Sequence, residues 1–380
     1  MRFKLAFVSL AVFVFVIPTP IFAVEEETTW TVYPEERHEI HIPNIPGYET
    51  LKCDFHIHTV FSDGLVWPTV RVEEAWREGL DVIAFTDHIE YQPHKKDVPI
   101  QFERPFDIGA VLAWSRNIEP IKGAEITHDT PPGHFNALFL ETITSLDIKE
   151  VTKAVRAAAK QEGFVFWNHP GWKGPERGKW SDVQTELYNN HSLRGIEICN
   201  GDDYYKEAHQ WALEKNLTLL GNSDLHAPAS DRPYTPEIHR TLTLVFAKEK
   251  TTPALKEALL AGRTAVWCKN NLYGKQEFLD AIFRASVRVE RPHYHSKNSW
   301  WLEIKNDCDL DLHLERNGEQ GPKSLTLPAN AVILVEVDFE KEPEKPVTLS
   351  YRVKNFIIAP DTSSPVNLTI ELTQGNQAVR

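Results

Sequence analysis

The chain has 380 residues, is 42% hydrophobic and 25% charged, and carries a formal net charge of -13. That length suits one large core plus a smaller second domain. The acidity excludes a general nucleic-acid footprint, but not small anionic substrates, because bound cations invert the field locally.

The N-terminus reads as an export signal. Arg2 and Lys4 precede the apolar run Leu5–Ile17, followed by Pro18, Pro20 and the small residue Ala23. This order predicts a cleavable signal peptide over residues 1–23, and hence a periplasmic or extracellular protein. The run is short for a membrane span of about 20 residues, and no later stretch is long enough, so no span is expected after cleavage. Cys53, Cys199, Cys268 and Cys308 form no CxxC pair, and the first three sit in strand-like runs. They read as small buried hydrophobes, although an oxidising compartment would permit one disulfide.

Residues 24–50 are acidic and contain prolines, and read as an arm leading into the fold. From Leu51 a strand–helix rhythm begins. Leu51–His56 reads as a strand, and Pro68 opens a helix that Gly79 closes. Val82–Thr86 is a continuous apolar run of the buried parallel type. Helices are expected near Phe106–Arg116, Asp147–Gln161, Ser181–Asn190, Tyr204–Lys215 and Pro253–Ala261. Strands are expected at Pro120–Ile126, His134–Leu140, Phe164–Asn168, Gly195–Asn200, Leu217–Asn222, Thr241–Ala247 and Thr264–Cys268. Seven or eight such units predict a parallel α/β barrel over residues 51–286. Beyond Val287 short strand-like runs follow one another without a helix, so residues 287–380 read as a small all-β, sandwich-like domain.

In such a barrel, function gathers at the C-terminal ends of the strands. His56 and His58 are spaced i, i+2, which in extended chain turns both imidazoles to one side. Asp63 follows in a Gly-ended turn, and the next strand ends in Asp87-His88. Later ends supply Glu125, His134 and His169, then Asp224 and His226, again spaced i, i+2. Of the 16 histidines, these six fall at strand ends in apolar context. Nine imidazoles and carboxylates exceed the roughly three or four ligands of one catalytic metal, so two or three divalent ions are expected.

The segments that carry these residues are HIHTVFSDG, TDH, GAEIT, PGH, NHPGW and NSDLH. Together they resemble the PHP (polymerase and histidinol phosphatase) family of metal-dependent phosphoesterases, over roughly residues 51–268. The resemblance implies a distorted (β/α)7 barrel. It also implies a trinuclear zinc, manganese or iron site held by His56, His58, Asp63, His88, Glu125, His134, His169, Asp224 and His226. Asp63 stands where some members have His. LKCDFHIHTVFSDG, DHIEYQPHKKD and PPGHFNALFL look, more narrowly, like a branch of exported bacterial proteins related to a Sphingobium-type phosphodiesterase.

Chemistry and kinship together predict a hydroxide bridged by metals that attacks phosphorus in line. Asp87 is the candidate catalytic residue beside the ligands, either orienting an imidazole or shuttling a proton. Lys95, Lys96, Lys173 and Arg232 are the candidate substrate cations, and Trp172 with Tyr204 and Tyr205 forms a candidate apolar wall. Trp167, inside its strand, reads as core, and Asn168 and Asn222 as residues that hold loops. The expected function is hydrolysis of small phosphoesters, diesters in preference. A phosphomonoesterase, a metal-dependent amidohydrolase or lactonase, and a binding protein with an inactive barrel are the alternatives.

Overall fold

The structure is a computed structural model. It describes residues 36–371 apart from 230–234, 236–237, 291, 293 and 297. The signal sequence, the first part of the arm and Arg232 therefore lie outside the described residues.

The first half alternates strands and helices: β1 (Glu49–Asp54), α1 (Pro68–Arg77), β2 (Val82–Phe85), α2 (Arg104–Ser115), β3 (Glu119–Ile126), β4 (Phe135–Leu138), α3 (Val151–Lys160), β5 (Phe164–Trp167), α4 (Asp182–Asn189) and β6 (Gly195–Asn200). It continues with β7 (Asp203–Tyr204), α5 (Lys206–Lys215), β8 (Thr218–Asn222), β9 (Leu242–Ala247), α6 (Thr252–Leu260), β10 (Thr264–Cys268), β11 (Asn271–Gly274) and α7 (Gln276–Ser286). Local chemistry sets the boundaries. Pro68 stands in the first turn of α1, where no N–H is needed. Gly79 follows the C-terminal end of the helix at φ +87, and a Cβ there would meet the His38 carbonyl at 2.6 Å. Ser181 and Gln184 form a capping box at the start of α4.

Strands β1, β2, β3, β4, β5, β6 and β8 pair side by side in that order. The ring closes where Ile57, just past β1, bridges Leu225, just past β8. The sequence predicts an all-parallel barrel, and here the structure differs. β4 runs antiparallel to both β3 and β5. The connection Thr127–His134 is too short for a helical crossover, which takes about a dozen residues, so the chain must turn straight back. β9 runs antiparallel to β1, and β10 and β11 continue the same antiparallel run outward. The stretch 271–286, left unassigned from sequence, forms β11 and α7.

The remainder is all-β: β12 (Val287–Val289), β13 (Tyr294–His295), β14 (Ser299–Asn306), β15 (Leu312–Arg316), β16 (Ser324–Leu327), β17 (Ala331–Asp338), β18 (Val347–Ala359) and β19 (Thr362–Ile370). β14 shows the alternating burial of a strand with one wet face. One sheet holds β12, β14, β13 and β17, while β15, β16, β18 and β19 join the barrel's sheet, because β18 pairs parallel with β11. A single apolar cluster runs through Phe246, Trp267 and Leu272 of the barrel and Leu302, Val353 and Phe356 of the β domain.

The visible part of the arm packs across this junction. His38 N donates to Arg77 O, Arg37 donates to the carbonyls of Gly79 and Leu80, and His41 N donates to Asp309. The four cysteines are buried and free.

Candidate metal centre

The ring of strands brings the nine predicted residues to one mouth. β1 ends at Asp54, so His56 and His58 lie just beyond it. The bridge at Ile57 keeps that segment extended, and the i, i+2 spacing still turns both rings inward, with centroids 5.1 Å apart. His88, beyond β2, is paired by a bridge with Glu125 near the end of β3. His134 precedes β4, and His169 follows β5. Asp224 and His226 follow β8. His169 and Asp224 hold φ values of +25 and +54, a region costly for side-chain-bearing residues. Such strain is retained where surrounding structure enforces it, often at functional sites.

Glu125 is the hub. It is fully buried. Its Oε2 lies 3.2 Å from His56 Nε2, 3.3 Å from His58 Nε2 and 3.1 Å from His88 Nδ1. Its Oε1 lies 2.7 Å from His134 Nδ1 and 3.7 Å from His169 Nε2. Asp224 is a second hub, with Oδ1 3.1 Å from His56 Nε2 and 3.0 Å from His58 Nε2, and Oδ2 3.8 Å from His169 Nε2. Asp63 is the third. Its Oδ1 faces His226 Nε2 at 3.3 Å, His88 Nε2 at 3.4 Å and His58 Nδ1 at 3.7 Å.

The donor atoms fall into overlapping groups that could each hold one ion. These are His58, Asp63, His88 and His226; His56, His58 and Glu125; His56, His169 and Asp224; and His88, Glu125 and His134. An observation independent of kinship fits divalent cations to them. Asp63 Oδ1 is buried with no hydrogen bond of good geometry, although three imidazole nitrogens surround it. A cation between those nitrogens and that oxygen would satisfy them together. The mixture of imidazole nitrogen and carboxylate oxygen suits zinc, manganese or iron.

The electrostatics describe groups competing for protons. Burial opposes charge on His56, but Asp224, Glu197 and Glu125 outweigh it and hold its pKa well above the ordinary value. His88 is likewise raised to about 9, against burial, by Glu125 and Asp63. His58 is pushed down to about 3, by burial first and then by His88. Glu125 and Asp224 stay well below the carboxylate range despite burial, because imidazoles surround them. These imidazoles need carboxylates as partners, and a metal that replaces their protons inherits the same partners.

Residues around the ligands orient them. Asn168 Nδ2 donates to Glu125 Oε1 at 3.0 Å, and Asn222 Nδ2 to Glu197 Oε1 at 2.9 Å. The two asparagines therefore position carboxylates as well as loops. Glu197, on β6, escapes the sequence reading. It is fully buried, lies 2.9 Å from His56 Nδ1 and accepts from His169 N at 2.8 Å. One acidic residue inside the apolar run Gly195-Ile-Glu-Ile-Cys was the signal available for it.

Asp87 sits beside the candidate ligands but in none of the groups that could hold an ion. Its oxygens accept from Thr59 N at 2.8 Å and Ser62 Oγ at 2.6 Å, and also from Thr59 Oγ1. It anchors the loop that carries Asp63. Lys173 pairs with Asp129 and lies 4.5 Å over the Trp172 ring, so its charge already has a partner. Lys95 and Lys96 are exposed in the turn after β2. Trp172 is half exposed and presses its edge on His134 and His169, with centroids 5.7 and 5.6 Å away. Trp167 is buried and stacks on Trp211, as its core reading requires.

Known proteins are similar to this chain. The PHP domain model matches residues 54–220, and an Ig-like domain model matches residues 287–371. A crystal structure from Bacteroides vulgatus is described as a two-domain protein containing a predicted PHP-like metal-dependent phosphoesterase. It is 42% identical, covers 89% of this chain and 100% of its own, and superposes with a TM-score of 0.84. An uncharacterised protein of Methanocaldococcus jannaschii is 28% identical over 194 residues, which is 47% of this chain and 83% of that one. A barrel mouth built from these nine residues, an Ig-like domain behind it and a relative alike along its whole length make this chain a member of the PHP family.

Proposed function

We propose that this protein hydrolyses phosphoesters, phosphodiesters in preference to monoesters, at a site for two or three divalent cations. The observation that carries the reading is the convergence of Glu125, Asp224 and Asp63 with six imidazoles in one mostly buried cluster. When bound, such cations would supply Lewis acidity toward the phosphoryl oxygens and lower the pKa of a water. Glu125 and Asp224 each reach imidazoles of more than one group, so they would share charge between neighbouring cations. Glu197 fixes the His56 ring, Asn168 fixes the Glu125 carboxylate, and Asp87 fixes the loop that presents Asp63. Trp172, half exposed beside His134 and His169, would limit access of water and pack against an ester group.

The diester preference rests on the narrower resemblance in the sequence. The test is turnover by protein loaded with Mn²⁺ or Zn²⁺. Bis(p-nitrophenyl) phosphate should be cleaved well above p-nitrophenyl phosphate. Monoester preference would reverse the assignment, and turnover of a p-nitroanilide alone would remove phosphoester chemistry. Export belongs to the same proposal. Fractionation of cells producing the full chain should find it outside the cytoplasm, shortened by about the length of residues 1–23.

A further inference from the structure

Arg71 is the fourth residue of α1, a helix that contributes no ligand, and its guanidinium is completely buried. An arginine there has five N–H donors to satisfy. All five find acceptors. Nε donates to His58 O at 2.8 Å. Nη1 donates to Glu74 Oε2 at 2.7 Å and Ala227 O at 2.9 Å. Nη2 donates to Leu225 O at 3.0 Å and His226 O at 2.7 Å. Glu74, the charge partner, accepts from Ala229 N at 2.8 Å through its other oxygen. One side chain therefore joins the backbone of the segment after β1 to the backbone of the segment after β8.

Those two segments form the two sides of one cation group. Asp63 comes from the first and His226 from the second, with their facing atoms 3.3 Å apart. His58 and His226 offer their own carbonyls to Arg71, and their rings stack with centroids 4.2 Å apart. Three backbone bonds tie the same segments as well: Leu65 N to His226 O at 2.8 Å, His58 N to Leu225 O at 3.0 Å and Asp224 N to His56 O at 2.8 Å. The inner ligands are held otherwise. Glu125 is fixed by Asn168, and His56 by Glu197. Neither Glu125, His134 nor His169 offers an atom to Arg71.

We infer that Arg71 is a positioning residue that helps set the gap between Asp63 and His226, and so governs binding of the outer cation held by His58, Asp63, His88 and His226 more strongly than binding at the groups centred on Glu125 and Asp224. The inference rests on the multi-cation reading, but not on which ester is cleaved. Lysine cannot substitute, because its three donors on a single nitrogen cannot span four carbonyls and a carboxylate in a plane.

The test is cation stoichiometry in the full chain, stripped with chelator and titrated calorimetrically with Mn²⁺ alone. The unmodified protein should bind three equivalents. Arg71→Lys should bind two with affinity little changed and the third more than tenfold more weakly. His226→Ala should lose the same equivalent, and the Arg71→Lys/His226→Ala double variant should lose nothing further, because the two changes act on one group. Three equivalents bound normally by Arg71→Lys would overturn the inference, as would equal weakening of all three. If Arg71→Lys does not fold, Arg71→Met with Glu74→Met removes both buried charges together, and the same selective loss is expected. Failure of diesterase activity with selective loss intact would sink only the substrate assignment. Fewer than three equivalents in the unmodified protein would sink the outer cation and this inference together.

Discussion

Glu197 Oε1 lies 2.9 Å from His56 Nδ1, while Nε2 of the same imidazole faces Glu125 and Asp224. A carboxylate from β6 thereby fixes the tautomer and ring direction of an imidazole that follows β1. Removing such an outer partner commonly costs about 10- to 100-fold in metal affinity. Glu197→Gln should lower affinity for Mn²⁺ by that order, read by calorimetry, with the protein still folded by circular dichroism. Unchanged affinity would mean that the ring is held by packing alone.

Glu125 touches more ligand imidazoles than any other residue in the cluster, so its loss should affect several cations together. Glu125→Gln should reduce bound metal by at least two equivalents and lower kcat/KM on bis(p-nitrophenyl) phosphate by more than about 1,000-fold, or 4 kcal/mol. Elemental analysis after dialysis reads the first effect. Full occupancy in this variant would show that Glu125 bridges nothing.

Asp87 offers its oxygens to Thr59 and Ser62. A residue that only holds the Asp63 loop changes the height of a pH–rate profile and not its shape. Asp87→Asn should therefore lower kcat/KM while both limbs of the profile stay in place. Disappearance of one limb would instead assign Asp87 the proton transfer.

His209 gives a pH prediction independent of metals. It is fully buried, bonded to Tyr204 OH at 2.9 Å, and held neutral by burial with a pKa of about 4. Its folded pKa lies below the ordinary value of about 6.5, so the unfolded chain takes up a proton that the folded chain refuses. Stability from this group is present above pH 6.5 and is lost as pH falls toward 4, by roughly 3 kcal/mol in all. Urea unfolding of the full chain at pH 7 and pH 5 should show the drop. His209→Phe, which keeps a ring of similar size buried, should lessen it, the remainder coming from other buried imidazoles such as His58.

The clustering of the candidate ligands was legible in the sequence because most of them are imidazoles or carboxylates at the ends of apolar runs, and the mouth of a barrel gathers such ends. The antiparallel course of β4 was not, since a strand's own pattern does not encode its partner's direction. It was implied only by the shortness of Thr127–His134. Glu197 was hidden because a single acidic residue inside a strand carries no motif. Arg71 was hidden because its role lies in five backbone and carboxylate contacts made across the fold, and helical periodicity says nothing of those.

The pairing of β18 with β11 bears on how this protein can be divided. Leu272 and Tyr273 face Phe356 and Ile357 in one ladder, and the apolar cluster beneath continues from the barrel into the β domain. The boundaries of the two family matches are therefore records of shared ancestry and not places to cut. A barrel truncated after Ser286 would present a bare strand edge above an open apolar face, the combination that drives chains to aggregate. The Ig-like portion continues the sheet that runs outward from the barrel through β9, β10 and β11, so swapping it between relatives should succeed only when β11 and α7 travel with it.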